Sequence, residues 1–443
     1  MNNSNHSLRV HFIGIGGVSM SSLAEYLNRV GFIVSGSDIT TSEYTDALVK
    51  DGVEVMIGHS AENVDGAQVV VYNSAIGEDN EELNAAKANK SYILSRAELL
   101  KMISENFKTR IGVSGCHGKT TVTCMIAHIL KCANEQFCAH IGGNDNEFGN
   151  GYFGGSEYFV TEVCEYKKNI DKFDAEVAVC LIAAPDHLEC YDGEKDLFNS
   201  YKNFLKKAKI AIFRSEDKNL ADYDYDNKIT FSADTSGDYY PTNISEKAGK
   251  YRFTLNKRGE KICDIKLNVY GEHNVVNAVA ACACAMELGI DAACVKGGIE
   301  KFTGTKRRFE KIGKINGCAV FADYAHHPDE INAALSTAEK ICKGRLFVVF
   351  QPHTYSRTLL LKEKFLDSLG KIDNLIIYKT FPAREEYIKG GSAYDLYVAL
   401  NKKGVYMADP DALQYYLKKN LKRDDMLLVL GAGDIYKLIK ARL

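Results

Sequence analysis

A chain of 443 residues, 46% hydrophobic and 26% charged, is ordinary globular material, long enough for about three domains of roughly 150 residues each. A formal net charge of −3 gives no electrostatic case for nucleic acid or an anionic membrane, so any bound anion has to be held by a local site. Thirteen cysteines, an odd number without a CxxC pair, suit a reducing compartment better than a disulfide framework. Met1–Leu8 is polar, and no apolar run approaches the ~18 residues of a membrane span. The expectation is a cytoplasmic protein that meets neither membrane nor nucleic acid, monomeric or homodimeric.

In chain order, Arg9–Ile15 reads as a strand, Gly16-Gly17 as a turn, Ser19–Val30 as a helix and Ile33–Ser37 as a strand ending at Asp38. Gly14-x-Gly16 with an acid closing the next strand is half of a dinucleotide fingerprint. Ser19 stands at the third glycine position, which leaves an NAD(P) reading incomplete.

The next strand, Arg110–Ser114, runs into Gly115-Cys-His-Gly-Lys-Thr-Thr121 and then a helix with Val122, Met125, Ile126, Ile129 and Leu130 at helical spacing. A glycine-rich turn entering a helix offers free amides and the positive end of the helix dipole to a phosphate. Lys119 adds a mobile charge, and the hydroxyl of Thr120 can ligate magnesium. The strict phosphate-loop pattern fails by one residue, because its first glycine falls on Val113.

Further strands at Phe137–Ile141, Tyr158–Val163 and Glu176–Ile182 predict a parallel sheet. A carboxylate in Thr-Glu162-Val-Cys-Glu165 and an imidazole in Asp186-His187 then end neighbouring strands that face the phosphate loop. Residues 215–262 are polar and read as irregular strands and loops without chemistry. Gly271-Glu-His273-Asn274-Val-Val-Asn277 opens a helix of small residues, with Asn277 one turn below His273. Thereafter come Arg307-Arg308, then Ala322-Asp323-Tyr-Ala-His326-His327-Pro328, Gln351-Pro-His-Thr-Tyr-Ser-Arg357 and Gly431-Ala-Gly-Asp434. Each of the last three strings follows an apolar strand, which argues for a second open parallel sheet.

The loop Gly115–Thr121, together with Gly14–Met20, Asn73-Ser74-Ala-Ile, Arg96-Ala-Glu98 and the Gly-x-His-Asn-x-x-Asn string, resembles the Mur ligase superfamily. His117 before Gly118 and the Gln351–Thr358 string are similar to the branch that adds the first amino acid to UDP-N-acetylmuramate, for peptidoglycan precursors. The resemblance implies an α/β, three-domain architecture: a Rossmann-like UDP-sugar domain over 1–108, a central P-loop ATPase-like domain over 109–308 and a Rossmann-like C-terminal domain over 309–443. It implies ATP and Mg2+ as cofactors, and UDP-N-acetylmuramate and L-alanine as substrates joined through an acyl phosphate.

By family position, Gly16, Gly17, Ser19, Asp38, Ser74 and Arg96 fall to the sugar nucleotide, and His326 and Arg357 to the remaining substrate contacts. Gly115, Cys116, His117, Gly118, Lys119, Thr120, Thr121, His273, Asn274, Asn277, Arg308 and Asp323 fall to ATP. Thr120, Glu162 and His187 fall to the metal, and Lys119, His187 and Arg308 to catalysis; His327 is expected to take the amine's proton because imidazole titrates near 6.5.

Four positions depart from the family pattern. Cys116 replaces Thr, Ile182 replaces Asn, Ala322 replaces Asp and Thr354 replaces Arg. Uncompensated, the change at Ile182 predicts weaker support for His187 and a raised magnesium requirement. Two other readings stay open: a ligase that recycles a whole tripeptide onto the same sugar, and a catalytically silent UDP-sugar-binding homologue.

Overall fold

The computed structural model describes residues 8–185, 188–221, 227–383 and 385–443. Among them the strands form three sheets, and the chain divides into two compact units. The first unit runs to Asn243 and takes in Phe253–Ile265 and Val276–Phe302; the second holds Ile244–Arg252, Lys266–Val275 and Thr303–Leu443.

The first unit carries two sheets. One is wholly parallel, in the order Glu54–Ile57, Ile33–Asp38, Arg9–Ile13, Val69–Tyr72, Tyr92–Ser95. Arg9–Ile13 is central and, apart from Arg9, buried on both faces, with His11 its one buried polar residue. The helix Val18–Arg29 lays Met20, Leu23, Ala24 and Leu27 into the core at helical spacing.

The second sheet has a parallel centre in the order Lys228–Phe231, Ile210–Arg214, Val177–Cys180, Thr109–Ser114, Tyr158–Glu162, Phe137–Asp145, with Gly149–Phe153 antiparallel at the edge. Here the structure corrects the expected adjacency. Tyr158–Glu162 and Val177–Cys180 are not neighbours but flank Thr109–Ser114, so the phosphate loop leaves the sheet between them. Both sheets of this unit share one apolar core, in which Tyr26 of the first meets Phe107 and Phe153 with ring centroids 6.3 and 5.8 Å away.

A second correction concerns residues 215–262. They hold regular strands at Lys228–Phe231, Tyr239–Lys247 and Lys250–Lys257, and a further strand starts at Glu260. Their solvent faces are polar, and that masked the strand pattern.

The second unit contains a sheet in the order Glu310–Ile315, Cys318–Asp323, Met426–Leu430, Leu346–Phe350, Asn374–Tyr378, Val405–Met407. Its first pair is antiparallel and the rest are parallel. The three strands read from sequence as ending in polar clusters lie side by side at its centre. None of the cysteines is joined in a disulfide, and no helix among the described residues is long and apolar enough to cross a membrane.

The phosphate-loop helix Lys119–Cys132 is fully buried along most of its length and packs on Ala292–Lys301. The contact is so close that a Cβ on Gly298 would lie 2.4 Å from the Ile129 Cα. Gly298→Ala should therefore force the helices apart and destabilise the chain by about 1–3 kcal/mol, the usual range for overpacking. A lowered urea midpoint at unchanged slope would show it.

Candidate active site

The phosphate loop is shaped by two glycines that no other residue replaces cheaply. Gly115 has φ +122 and Gly118 φ +87, a region that side-chain-bearing residues rarely adopt. A Cβ on Gly115 would sit 2.9 Å from the Ile182 nitrogen, and one on Gly118 would sit 2.7 Å from the Asn277 Oδ1. Asn277 of the Gly-x-His-Asn-x-x-Asn string is thereby placed against the loop. The Cys116 amide donates to the Ile182 carbonyl at 2.9 Å, tying the loop to the next strand end. Helix Lys119–Cys132 has no acid in its first turn, so its N-terminal field is not quenched by a carboxylate of its own.

Lys119 folds back into this loop. Its ammonium donates to the Gly115 carbonyl at 2.5 Å, the Cys116 carbonyl at 3.3 Å and the Glu165 carboxylate at 3.2 Å. Burial alone would favour the neutral amine, but the buried Glu165 carboxylate outweighs it and holds Lys119 well above the ordinary lysine range. Beside it the Thr120 hydroxyl donates to Glu162 Oε2 at 3.1 Å, and Glu162 Oε1 accepts the Gly142 amide at 2.7 Å. A hydroxyl and a carboxylate oxygen side by side at a phosphate-loop helix are hard donors of the kind magnesium takes. His187, the third expected ligand, lies outside the described residues, as does Asp186.

The first sheet brings its own loop into this unit. Gly14 has φ +81, its amide and that of Ile15 donate to the Ser37 carbonyl, and the Gly16 amide donates to Asp38 Oδ2 at 2.8 Å. Gly17 caps helix Val18–Arg29, and Ser74 is exposed with its carbonyl accepting from Lys167. Arg96 starts the helix Arg96–Ser104 and is half-buried, not a solvated surface arginine. Its Nη1 donates to Ser19 Oγ at 3.3 Å, and Ser19 Oγ lies 2.8 Å from Nε2 of the buried His140.

The second unit gathers the remaining expected residues. Asp323 accepts the amides of Phe309 and Ala325, each at 2.8 Å. Burial pushes its carboxyl up to about 6, against the pull of the Arg308 guanidinium and of those amides. Arg308 lies 3.9 Å from Glu330, and burial, with Arg308 beside it, lowers His273 to about 4. The Asn274 side chain is committed to the Tyr270 carbonyl at 2.7 Å.

His326 Nδ1 lies 3.0 Å from the Tyr324 carbonyl, and its ring centroid lies 5.8 Å from that of His353. The Arg357 guanidinium donates to His353 Nδ1 at 3.2 Å. His327 caps the helix Pro328–Ile341, its Nδ1 accepting the Asp329 amide at 3.3 Å. A neutral ring that accepts there carries its proton on Nε2, which leaves no bare nitrogen for an amine's proton while the cap holds.

The chain matches three family descriptions in succession: "Mur ligase family, catalytic domain" over residues 9–108, "Mur ligase middle domain" over 113–285 and "Mur ligase, glutamate ligase domain" over 307–433. The chain belongs to the Mur ligase family. Among relatives, it is 41% identical to the UDP-N-acetylmuramate–L-alanine ligase of Lachnospira eligens, covering 98% of this chain and 97% of that one. It is 42% identical to the enzyme of the same name from Clostridium tetani, covering 97% and 96%. Among solved structures, the UDP-N-acetylmuramate–alanine ligase of Thermotoga maritima superposes with a TM-score of 0.85 at 27% identity over 98% of both chains. A murein peptide ligase from Psychrobacter arcticus shares the fold, with a TM-score of 0.76 at 22% identity over 98% of both.

Set in the Mur ligase fold, the departures at Ala322, Thr354 and Ile182 have local explanations, while nothing explains that at Cys116. Ala322 is 1% exposed in an apolar cluster with Val320 and Val349, where an aspartate would be buried without partners. Strand alternation turns its neighbour Asp323 to the other face. Thr354 caps the short helix Tyr355–Leu360 at φ 64, its hydroxyl accepting the Arg357 amide.

At the strand end carrying Ile182, the brace comes from elsewhere. Buried Asp217 accepts the Ala183 amide at 2.6 Å, and the Asn219 side chain donates to the Ala183 carbonyl at 2.9 Å. Sequence reading missed this pair, inside a stretch taken as free of chemistry. The available signal was local: an aspartate just ahead of a short helix and an asparagine in its first turn mark a turn that binds backbone. His140 was missed as well, as a lone histidine in an apolar strand.

Asp217→Ala should leave the Ala183 amide buried and unmatched, lowering stability by about 1–3 kcal/mol. If the brace supports the segment ahead of His187, the magnesium concentration for half-maximal activity should rise about tenfold, the lower end for lost support of a metal ligand. Urea unfolding and a metal titration of the same variant check both.

Asp323 gives a pH prediction. Its folded-state value of about 6 lies above the ordinary 3.8, so the folded chain holds this proton more tightly than the unfolded one. The contribution to stability is present in full below the unfolded value and is lost as pH rises through about 6. Asp323→Asn should flatten that part of the stability–pH profile, measured by urea unfolding between about pH 4 and 7.

Proposed function

We propose that this chain joins L-alanine to the lactyl carboxylate of UDP-N-acetylmuramate, with ATP converted to ADP and phosphate. Near-full-length similarity, at 41 and 42% identity, to two ligases of that name carries the reading. The built phosphate loop with its buried Lys119–Glu165 pair agrees with it.

In this reading a lactyl oxygen attacks the γ-phosphorus, ADP leaves, and the acyl phosphate is attacked by the alanine amine, releasing phosphate as the amide forms. The chain contributes position and charge. Loop amides and the helix Lys119–Cys132 terminus receive the phosphates. Lys119 exchanges its loop carbonyls for phosphate oxygens. Within the second unit, Arg308 carries a fixed positive charge, and Arg357 offers a planar fork suited to the amino-acid carboxylate. Thr120 and Glu162, with His187, would hold magnesium, which when bound offsets phosphate charge. His327 can accept the amine's proton only once its cap on Asp329 opens.

The test is phosphate release by the purified chain with ATP, magnesium and UDP-N-acetylmuramate, given alanine, the tripeptide or no acceptor. Release with alanine alone supports the reading; release with tripeptide alone points to recycling, and none with any acceptor to a silent homologue. Lys119→Ala should lower turnover at least a hundredfold, about 2.7 kcal/mol of barrier, with UDP-sugar affinity unchanged.

A further inference from the structure

We infer that His140 is a positioning residue: through Ser19 it sets Arg96 of the sugar-nucleotide sheet against the Glu162 end of the phosphate site. The inference rests on the ligase reading above.

His140 lies on Phe137–Asp145 of the second sheet and is 4% exposed. Both ring nitrogens are used: Nδ1 lies 2.9 Å from Thr161 Oγ1, and Nε2 lies 2.8 Å from Ser19 Oγ. Thr161 immediately precedes Glu162, and its hydroxyl also reaches the Glu162 carbonyl at 3.2 Å. Ser19 in turn receives Arg96 Nη1 at 3.3 Å. The chain of contacts therefore runs from the residue beside a metal-site carboxylate, across two sheets, to a guanidinium.

A second tie grips the same helix start. The Asn150 side chain, on the edge strand Gly149–Phe153, donates to the Val18 carbonyl at 2.7 Å and to Ser21 Oγ at 2.8 Å. The loop that takes the sugar nucleotide is thus anchored to the sheet that takes ATP. Arg96 feels the result electrostatically. Burial lowers it, while the Glu162 carboxylate at the end of a second-sheet strand is a charge that stabilises its cation. An arginine so placed suits an anionic group held between the two sheets, a carboxylate or a phosphoryl group.

A histidine here serves as a spacer that meets a hydroxyl on either side. Burial, with Arg96 nearby, pulls its ring down to about 3, so it stays neutral and adds no repulsion to Arg96. A leucine of similar bulk would fill the space and cut both links.

The experiment compares His140→Leu, His140→Gln and Ser19→Ala in the full chain. Equilibrium binding of UDP-N-acetylmuramate is measured by calorimetry, and steady-state kinetics are run for each substrate. His140→Leu should weaken sugar-nucleotide binding about tenfold while the KM for ATP stays within about twofold. His140→Gln, which keeps a donor and an acceptor, should recover part of the loss. In an Arg96→Lys background His140→Leu should add little, since its effect passes through Arg96.

Unchanged sugar binding in His140→Leu, equal losses for both substrates, or full additivity with Arg96→Lys would overturn the inference. Should His140→Leu fail to fold, Ser19→Ala breaks the same link at a partly exposed residue and is held to the same outcomes. Failure of the ligase reading is seen separately, as absence of alanine-dependent phosphate release in the unaltered chain.

Discussion

The phosphate site turns on a buried ammonium meeting a buried carboxylate. Glu165 has no exposed side-chain surface and Lys119 has 16%. Removing either partner would leave a charge in a poorly solvated site, which is strongly destabilising. The pair persists because the surroundings complete it: loop carbonyls take two of the lysine's hydrogens, and the Tyr191 hydroxyl donates to the Glu165 carbonyl at 2.5 Å. The strand order makes this possible. Thr109–Ser114 lies between Val177–Cys180 and Tyr158–Glu162, so the loop it feeds is bounded by the segments following both. One of these carries Glu165, and the other carries Ile182, whose backbone lines Gly115.

What could be read from sequence follows the range of the interactions. The phosphate loop was legible because its requirements are local: glycines at positive φ, a lysine opening a helix and an apolar stripe behind it. The three central strands of the second unit were legible as apolar runs ending in polar strings. Adjacency of strands was not, since nothing local in Tyr158–Glu162 or Val177–Cys180 states which strand it joins. Tyr239–Lys247 and Lys250–Lys257 were lost because their polar faces break the apolar signal. Asp217 and His140 were lost for a different reason. The turn at Asp217 had a local signal, but its partner Ala183 lies 34 residues away and His140's partner Ser19 lies 121 away, and a pairing at that separation is not visible in one chain.

The departures from the family pattern show the same distinction. Ala322 sits on the apolar face of a strand whose next residue, Asp323, does the polar work. Replacing an acid by alanine there removes a buried charge and costs no partner. Ile182 is a different case, because its side chain gives up hydrogen bonding at a strand end that precedes His187, the residue expected from sequence to ligate the metal. Here the backbone is held instead, by Asp217 and Asn219 reaching Ala183 from the far side of the loop. An asparagine side chain and a braced backbone are two solutions to one requirement, that the strand end not move. Only the first can be seen by comparing motifs.

The histidines complete the electrostatic argument. His140 is held at about 3, and His273 and His353 at about 4. Burial is the largest cause in all three, and an arginine lies close enough to add to it: Arg96, Arg308 and Arg357 respectively, with His326 also acting on His353. A second cation beside a guanidinium would compete with it for the anion and repel it. A neutral imidazole avoids this while still bridging two polar groups, as His140 does between Thr161 and Ser19 and as His353 does in receiving Arg357. Positive charge in these sites is thus carried by lysine and arginine, and geometry by imidazoles that burial disfavours charging. On acidification Asp323, raised to about 6, takes its proton before these rings do, and its neutralisation removes a negative charge beside Arg308.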